Sequence, residues 1–249
     1  MDNRAERPRP IPELLLVAAL FLAYKLGRLA VAGDITTAYT NATHIWDLER
    51  TLGLPSEAGL QHALLGHEGL IRGANLYYAA VHFPATAALL LWTYLRRPAL
   101  YRWARTTLAW LTAAGFAVQI LLPLAPPRLL TATGMLDTGA ALGPTVYGNP
   151  TSDVLANQYA AMPSLHVGWA AVVAIVLIRA TTGPWRWAWL LHPLATIAVV
   201  VITANHYWLD GAVALTLLAA ICLVQARLPR PIRIGTPVLA THRPREAQQ

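Results

Sequence analysis

The amino-acid sequence predicts an all-α fold: a polytopic membrane helical bundle of six transmembrane helices, with short interfacial helices in its first outer loop. Three observations carry that prediction. Hydrophobic residues fill 56% of the 249 positions and charged residues only 12%, with a mean hydropathy of +0.44, a balance outside the range of soluble chains. Apolar segments able to cross a hydrocarbon layer of about 30 Å, at about 1.5 Å per helical residue, recur along the chain. The basic residues gather at the ends of these segments, so the formal charge of +7 reads as a topology signal and not as a nucleic-acid footprint.

Residues 1–11 form an N-terminal tail, residues 12–226 the membrane domain, and residues 227–249 a basic tail whose Arg- and Pro-rich composition predicts disorder. The expected spans are residues 12–32, 70–95, 104–124, 163–178, 187–203 and 206–224. Arg4, Arg7 and Arg9 precede the first span; Arg96, Arg97, Arg102 and Arg105 join the second to the third; Arg179 and Arg186 join the fourth to the fifth; Arg227, Arg230 and Arg233 follow the sixth. The other side carries only Arg50, Arg72 and Arg128. The positive-inside rule therefore predicts both termini in the cytoplasm. An arginine-rich chain whose single lysine is Lys25 suits a bacterial inner (plasma) membrane.

The first span ends in Ala30-Val31-Ala32, as a cleaved signal peptide would, but Lys25 and Arg28 interrupt its apolar run and favour an uncleaved helix. Charges at that depth are costly unless they face a polar interior or reach an interface, which makes Arg28 a candidate neighbour of a site at the outer end. In the first outer loop, residues 34–69, Ala42, Ile45, Leu48 and Leu52 mark one helical face and Gly53 ends it. Pro55-Ser56-Glu57 starts a second helix bearing Leu60, Ala63 and Leu64. With Trp46 as an anchor, both are expected at the membrane surface, packed on the bundle; lidding the site is the alternative task. In the second span Asn75, Tyr78 and His82 recur at helical spacing, a stripe expected to face other helices, with His82, like His192 in the fifth span, in a structural role. Cys222, the one cysteine, lies inside an apolar run and excludes a disulfide framework.

The third span closes in Pro123-Leu124-Ala125-Pro126-Pro127-Arg128, so three prolines stiffen the approach to the only arginine of its loop. Ala161-Met162-Pro163-Ser164-Leu165-His166 then opens the fourth span with a hydroxyl and an imidazole where a helix presents unpaired N–H groups. Asn205-His206-Tyr207-Trp208-Leu209-Asp210 opens the sixth, with a carboxylate four residues after a histidine, on one helical face. Taken singly, Ser164 also fits a helix cap, His166 a packed imidazole, and His206 with Asp210 an intrahelical pair. Together they put an arginine, a serine and two histidines at one membrane surface. That set suits phosphoryl transfer: Arg128 and Ser164 hold non-bridging oxygens, with Asn205 beside them as a possible support. His206 attacks phosphorus, Asp210 fixes its tautomer, and His166 protonates the leaving oxygen.

Pro163-Ser164-Leu165-His166 resembles the P-S-G-H signature of the type 2 phosphatidic acid phosphatase superfamily, and His206-x3-Asp210 the end of its S-R-x5-H-x3-D signature. Pro126-Pro127-Arg128, Ala161 to His166 and Asn205-His206-Tyr207-x2-Asp210 are similar to its inositol phosphorylceramide synthase-like branch, a likeness that includes Leu48-Glu49-Arg50, Asn75 and His82-Phe83-Pro84. The resemblance implies a phosphohistidine mechanism without metal or other cofactor: His206 is nucleophile, Asp210 its orienter, His166 acid then base, and Arg128 and Ser164 bind phosphate. It departs where the superfamily's K-x6-R-P would need lysine at Leu121 and proline at Leu129, and where its third signature would need arginine at Val200. Two phosphate-binding cations are therefore absent, and Arg28 or Arg72 is expected to compensate.

The expected activity is that of a lipid phosphatase or an inositol-phosphate transferase with its site facing outward, acting on a lipid phosphate or phospholipid from the bilayer, with water or a lipid alcohol as acceptor. Two other readings fit the same residues. His166, His206 and Asp210 could ligate zinc in a metal-dependent hydrolase, or the cationic pocket could hold a lipid phosphate in a non-catalytic binding or transport protein.

Overall fold

The computed structural model describes residues 8–31, 35–148 and 158–227, without the side chains of residues 20, 21 and 23–31. The predicted disorder of the C-terminal tail and the side chain of Arg28 thus fall outside the described residues. Among the described residues the protein is helical and contains no strand. Helix α1 spans Pro10–Val31, α2 Ile35–Thr51, α3 Glu57–Leu65, α4 Glu68–Ala80 and α5 His82–Arg96. Helix α6 spans Pro98–Leu121, α7 Thr138–Leu142, α8 Leu165–Ala180, α9 Leu191–Ile202 and α10 Trp208–Arg227.

Each expected span coincides with a helix or a helix pair. The second is α4 followed by α5, interrupted at Val81. Pro84 accounts for the break: it has no N–H to give Ala80, and its ring crowds that carbonyl. The fifth is the single-turn-per-three-residue stretch Pro184–Leu190 running into α9. Among the described residues, Pro184–Ile202 and Trp208–Arg227 are long and apolar enough to cross a membrane by length and composition.

Helix α8 is the central post, with α5, α6, α9 and α10 packed around it. Its buried residues are small or β-branched, among them Val167, Gly168, Ala170, Val172, Ala174 and Val176. Smallness sets the close approach of its neighbours: a Cβ on Gly168 would stand 2.9 Å from Leu111 Cδ2, and one on Gly115 of α6 only 2.8 Å from Leu165 Cδ2.

Contacts at one end of the bundle join the starts of α1 and α6 to the ends of α8 and α10. Arg105 Nε lies 3.2 Å from Glu13, Arg179 stacks on Trp103 at 4.1 Å, and Thr107 bonds Gln225. The basic connections expected in the cytoplasm therefore share one end. The starts of α8 and α10 and the end of α9 share the other.

Polarity is distributed inside out. Glu49, Glu57, Gln61, Asn75, Thr93, Thr107 and Gln119 are buried, while Leu14, Leu76, Trp110, Leu121, Leu194 and Leu223 lie exposed. Helices α2 and α3 follow the same rule: Ala42 and Ile45 of the expected α2 stripe pack inward, while its other members do not. Ala38, Ala42 and Glu49 of α2 point inward, whereas Leu48 is 45% and Leu52 57% exposed. In α3 the inward residues are Glu57 and Gln61, and Leu60 faces out. The reason is hydrogen bonding, which overrides the apolar periodicity. Gln61 Nε2 donates to the carbonyls of Leu136 (3.0 Å) and Ile202 (2.9 Å), and its Oε1 accepts from Leu136 N (2.8 Å).

Replacing Gln61 by Leu strands those three backbone groups and is expected to lower stability by about 1–3 kcal/mol in denaturant unfolding of the detergent-solubilised protein. Leu60→Ala, on the outer face of the same helix, is expected to stay within about 0.5 kcal/mol of wild type.

Candidate active site

The site forms where the starts of α8 and α10 meet the loop that follows α6. Leu122 and Pro123 end α6, and the extended chain beyond pairs with the strand-like stretch before α8: Leu124 N donates to Tyr159 O at 2.8 Å and Ala161 N to Leu124 O at 3.2 Å. This pairing fixes the residues ahead of Ser164. Ser164 is the N-cap of α8, fully buried, with Oγ 3.5 Å from the Val167 N–H. Its own N–H donates to the backbone carbonyl of Asp210 at 3.0 Å, which ties α8 to α10 at their first turns.

His206 does not begin the sixth helix, as its spacing to Asp210 had suggested. It sits in the turn before α10, with its N–H donating to Val200 O at 3.1 Å. Asp210, in the first turn, reaches back, and its Oδ2 accepts the Tyr207 N–H at 2.9 Å, the arrangement of a capping box's acidic residue. The same Oδ2 stands 3.2 Å from His206 Nδ1, and the carbonyl of Ala161 stands 2.8 Å from it. Two acceptors at Nδ1 place the ring hydrogen there, so Nε2 carries the free lone pair.

His166 lies across from it, with ring centroids 5.9 Å apart. Its imidazole is held between two rings, stacked on Tyr78 at 4.5 Å and tilted against His82 at 4.4 Å. His82 in turn lies 5.1 Å from Trp169. The structural role expected for His82 is aromatic packing directly on His166. Asn75 matches its expectation: it donates to the carbonyls of Thr138 and Gly143 and accepts from Thr138 Oγ1. His192 accepts or donates at 2.7 Å with Tyr77.

Arg128 is positioned by its own backbone, whose N–H donates to Ala204 O at 2.9 Å. Its guanidinium is almost wholly buried. Nη1 donates to Asn205 Oδ1 at 2.5 Å and Nη2 to Gln158 Oε1 at 3.3 Å, while Nε lies 3.6 Å from Asp137 Oδ2. The plane stacks on Tyr147 at 4.1 Å, and the Tyr147 hydroxyl meets that of Tyr78. Arg128 is thus linked to His206 through the adjacent Asn205, and to His166 through Tyr147 and Tyr78. Asn205 is oriented by its own bond to Thr203 Oγ1 at 2.8 Å.

The expected residues His206, Asp210, His166, Arg128, Ser164 and Asn205 therefore come together at one end of the bundle. Arg72 does not join them. It is exposed on α4, where it pairs with Glu68 at 3.8 Å. Asp137, Tyr147 and Gln158 were not singled out from sequence. They lie in a Gly- and Pro-rich loop without periodicity, and only their contact with Arg128 marks them.

Among the described residues, no group of three His, Cys, Asp or Glu side chains has a metal-ligating arrangement. Asp210 stands behind Nδ1 of His206, so the set foreseen for zinc does not converge on one point. The sequence model of the PAP2 superfamily matches residues 43–224, a stretch that contains every residue of this site and begins after α1. No match emerges among curated proteins or among solved structures.

Proposed function

The chain belongs to the PAP2 superfamily, and from that premise we propose that it is an integral membrane lipid phosphatase or phosphotransferase working through a phosphohistidine on His206. The observation that carries the proposal is the pair of acceptors at His206 Nδ1, which leaves the Nε2 lone pair free, with the His166 ring centroid 5.9 Å from that of His206. In the first step Nε2 attacks phosphorus and the bond from phosphorus to the leaving oxygen breaks. Asp210 and the Ala161 carbonyl stabilise the positive charge that develops on the ring. His166 gives its proton to the leaving oxygen. In the second step His166 takes the proton of the acceptor, water or a lipid alcohol, as the acceptor oxygen attacks and the phosphorus–nitrogen bond breaks. Arg128, preorganised by Asn205 and Gln158, holds the non-bridging oxygens. Ser164 brings the N-terminus of α8, with its unpaired amides, to the same space.

The inside-out polarity supports a bilayer as the solvent of this bundle. Six transmembrane helices are then α1, the α4–α5 pair, α6, α8, the Pro184–Ile202 stretch and α10. The exposed Trp185, Trp187 and Trp189 beside Arg186 suit an interfacial belt at the basic end. The positive-inside rule puts that end in the cytoplasm of a bacterial inner membrane, and the site on the outward face. Substrates of matching chemistry are lipid phosphates and phosphoinositol lipids. The inositol phosphorylceramide synthase-like residues Pro126-Pro127-Arg128 and Asn205-His206 favour adding a lipid alcohol to the assay.

The test is phosphate release and headgroup transfer from a panel of lipid phosphates and phosphoinositides, with and without lipid alcohol acceptors. His206→Ala is expected to reduce turnover about 10³-fold or more, and His166→Ala about 10²- to 10⁴-fold. Equal turnover in wild type and His206→Ala would overturn the mechanism, and equal binding without turnover in both would make this a binding protein.

Arg128→Lys keeps the charge but cannot span Asn205 and Gln158 together, and is expected to lower kcat/KM by about 10- to 100-fold with the fold intact. Kinetics beside a circular dichroism spectrum check this.

A further inference from the structure

Helix α10, which carries Asp210 and follows His206, has an unusual start. Tyr207 stands at its N-cap position and offers no short side-chain oxygen to the first-turn amides. Asp210 satisfies the Tyr207 N–H from within. The Leu209 N–H is satisfied from outside, donating at 2.8 Å to Oε1 of Glu49 on α2. Glu49 is thus the missing half of the cap, supplied by the first outer loop across 160 positions of sequence.

Glu49 is fully buried, and so is Glu57 at the start of α3. Glu57 Oε2 accepts from Arg50 Nη2 at 2.7 Å, and Arg50 stacks on Trp46 at 4.3 Å. The remaining oxygens, Glu49 Oε2 and Glu57 Oε1, are buried and have no hydrogen-bond partner among the described residues. Two neighbouring buried carboxyl groups disfavour charge on both.

We propose that Glu49 is a positioning residue for the nucleophile: it holds the first turn of α10, and with it Asp210 and His206, while Glu57 and Arg50 fix its side chain. This rests on the reading of His206 as nucleophile. Glu49 does so as the neutral acid. Its Oε1 accepts from the Leu209 N–H. Burial first, then the neighbouring Glu57 carboxyl and the charge of Asp210, push Glu49 up to about 9 from its ordinary 4.5, against a smaller opposing effect of the Leu209 amide. The titratable and charged groups facing it are Glu57 from α3, Arg50 from its own helix, and Tyr207 and Asp210 from the start of α10. Because the folded protein holds this proton more tightly than the unfolded chain, the stabilisation is full below about 4.5 and is lost as pH rises through about 9. A neutral cap also adds no second negative charge beside Asp210.

The experiment compares full-length wild type, Glu49→Ala, Glu49→Gln and His206→Ala in lipid nanodiscs. It measures turnover of the best lipid phosphate from the panel against pH, and hydrogen exchange of the segment containing the Leu209 amide. Glu49→Ala is expected to lower kcat about 10- to 100-fold with KM nearly unchanged, and to speed exchange at Leu209. Glu49→Gln presents a carbonyl to Leu209 and an N–H to Glu57, so it should restore both and extend activity to higher pH than wild type. Wild-type turnover and exchange in Glu49→Ala would overturn the proposal, as would a Gln variant no better than Ala. If His206→Ala turns over like wild type, or no protein turns over substrate, the nucleophile reading fails instead. Exchange at Leu209 then decides alone: faster only in the Ala variant supports the clamp, and unchanged in it overturns the clamp.

Discussion

Asp210 has no exposed surface, and a carboxylate in an apolar bundle persists only where its surroundings donate to it. Here the donors are the Tyr207 amide and the Nδ1–H of His206, so the solvation of the charge and the orientation of the imidazole are one interaction. The backbone carbonyl of Asp210 also receives the Ser164 N–H, which sets the start of α8 against the start of α10. The Asp210 side chain therefore orients His206, while its backbone ties the helix that carries His166 to the same turn. That contact sets the polar residues at the starts of α8 and α10 at the same end of the bundle.

The same constraint acts throughout the bundle. Buried amides and hydroxyls either bond backbone groups within their own helix, as Thr86, Thr93 and Thr107 do toward the preceding turn, or bridge to another segment, as Gln61 and Asn75 do. The first kind costs the protein little and leaves helices free to slide. The second kind fixes register, and its members concentrate around the site: Gln61, Asn75, Arg128, Asn205 and Gln158 each join elements far apart in sequence. The opposite end is held mainly by apolar packing of Leu89, Leu108, Val172, Val176 and Leu218. Directional bonds thus sit where atoms must be placed to a fraction of an ångström, and area burial supplies cohesion elsewhere.

What was legible in the sequence follows the same division. Helix positions were readable because apolar runs and prolines act locally: Pro123 closes α6, and Pro84 breaks the second span at Val81. The site histidines, Asp210, Arg128 and Asn205 were readable because each opens or closes an apolar run. Contacts made across the chain were not. Nothing near Tyr147 or Gln158 signals that their partner is Arg128, 19 and 30 positions away in a loop without period. Periodicity placed Ala42 and Ile45 of α2 inward, as they are, but missed Leu48 and Leu52, which face out where Glu49 turns in to bond Leu209. His206 left the helix for a similar reason: Asp210 caps the residue after it, which makes Tyr207 the helix boundary.

These bonds bear on what the first outer loop does. A lid must open at little cost, and its contacts with the body should be few and solvated. Helices α2 and α3 instead send Glu49 to Leu209, Gln61 to Leu136 and Ile202, and accept the indole N–H of Trp208 on Pro55 O at 2.8 Å. Lifting them would strip acceptors from the first turn of α10 and bare the Glu49–Glu57 pair, each loss costing on the order of 1 kcal/mol or more. It would also release the helix that presents Asp210 to His206. The two helices are therefore part of the frame that holds His206, and access to His206 has to come from a direction they do not cover.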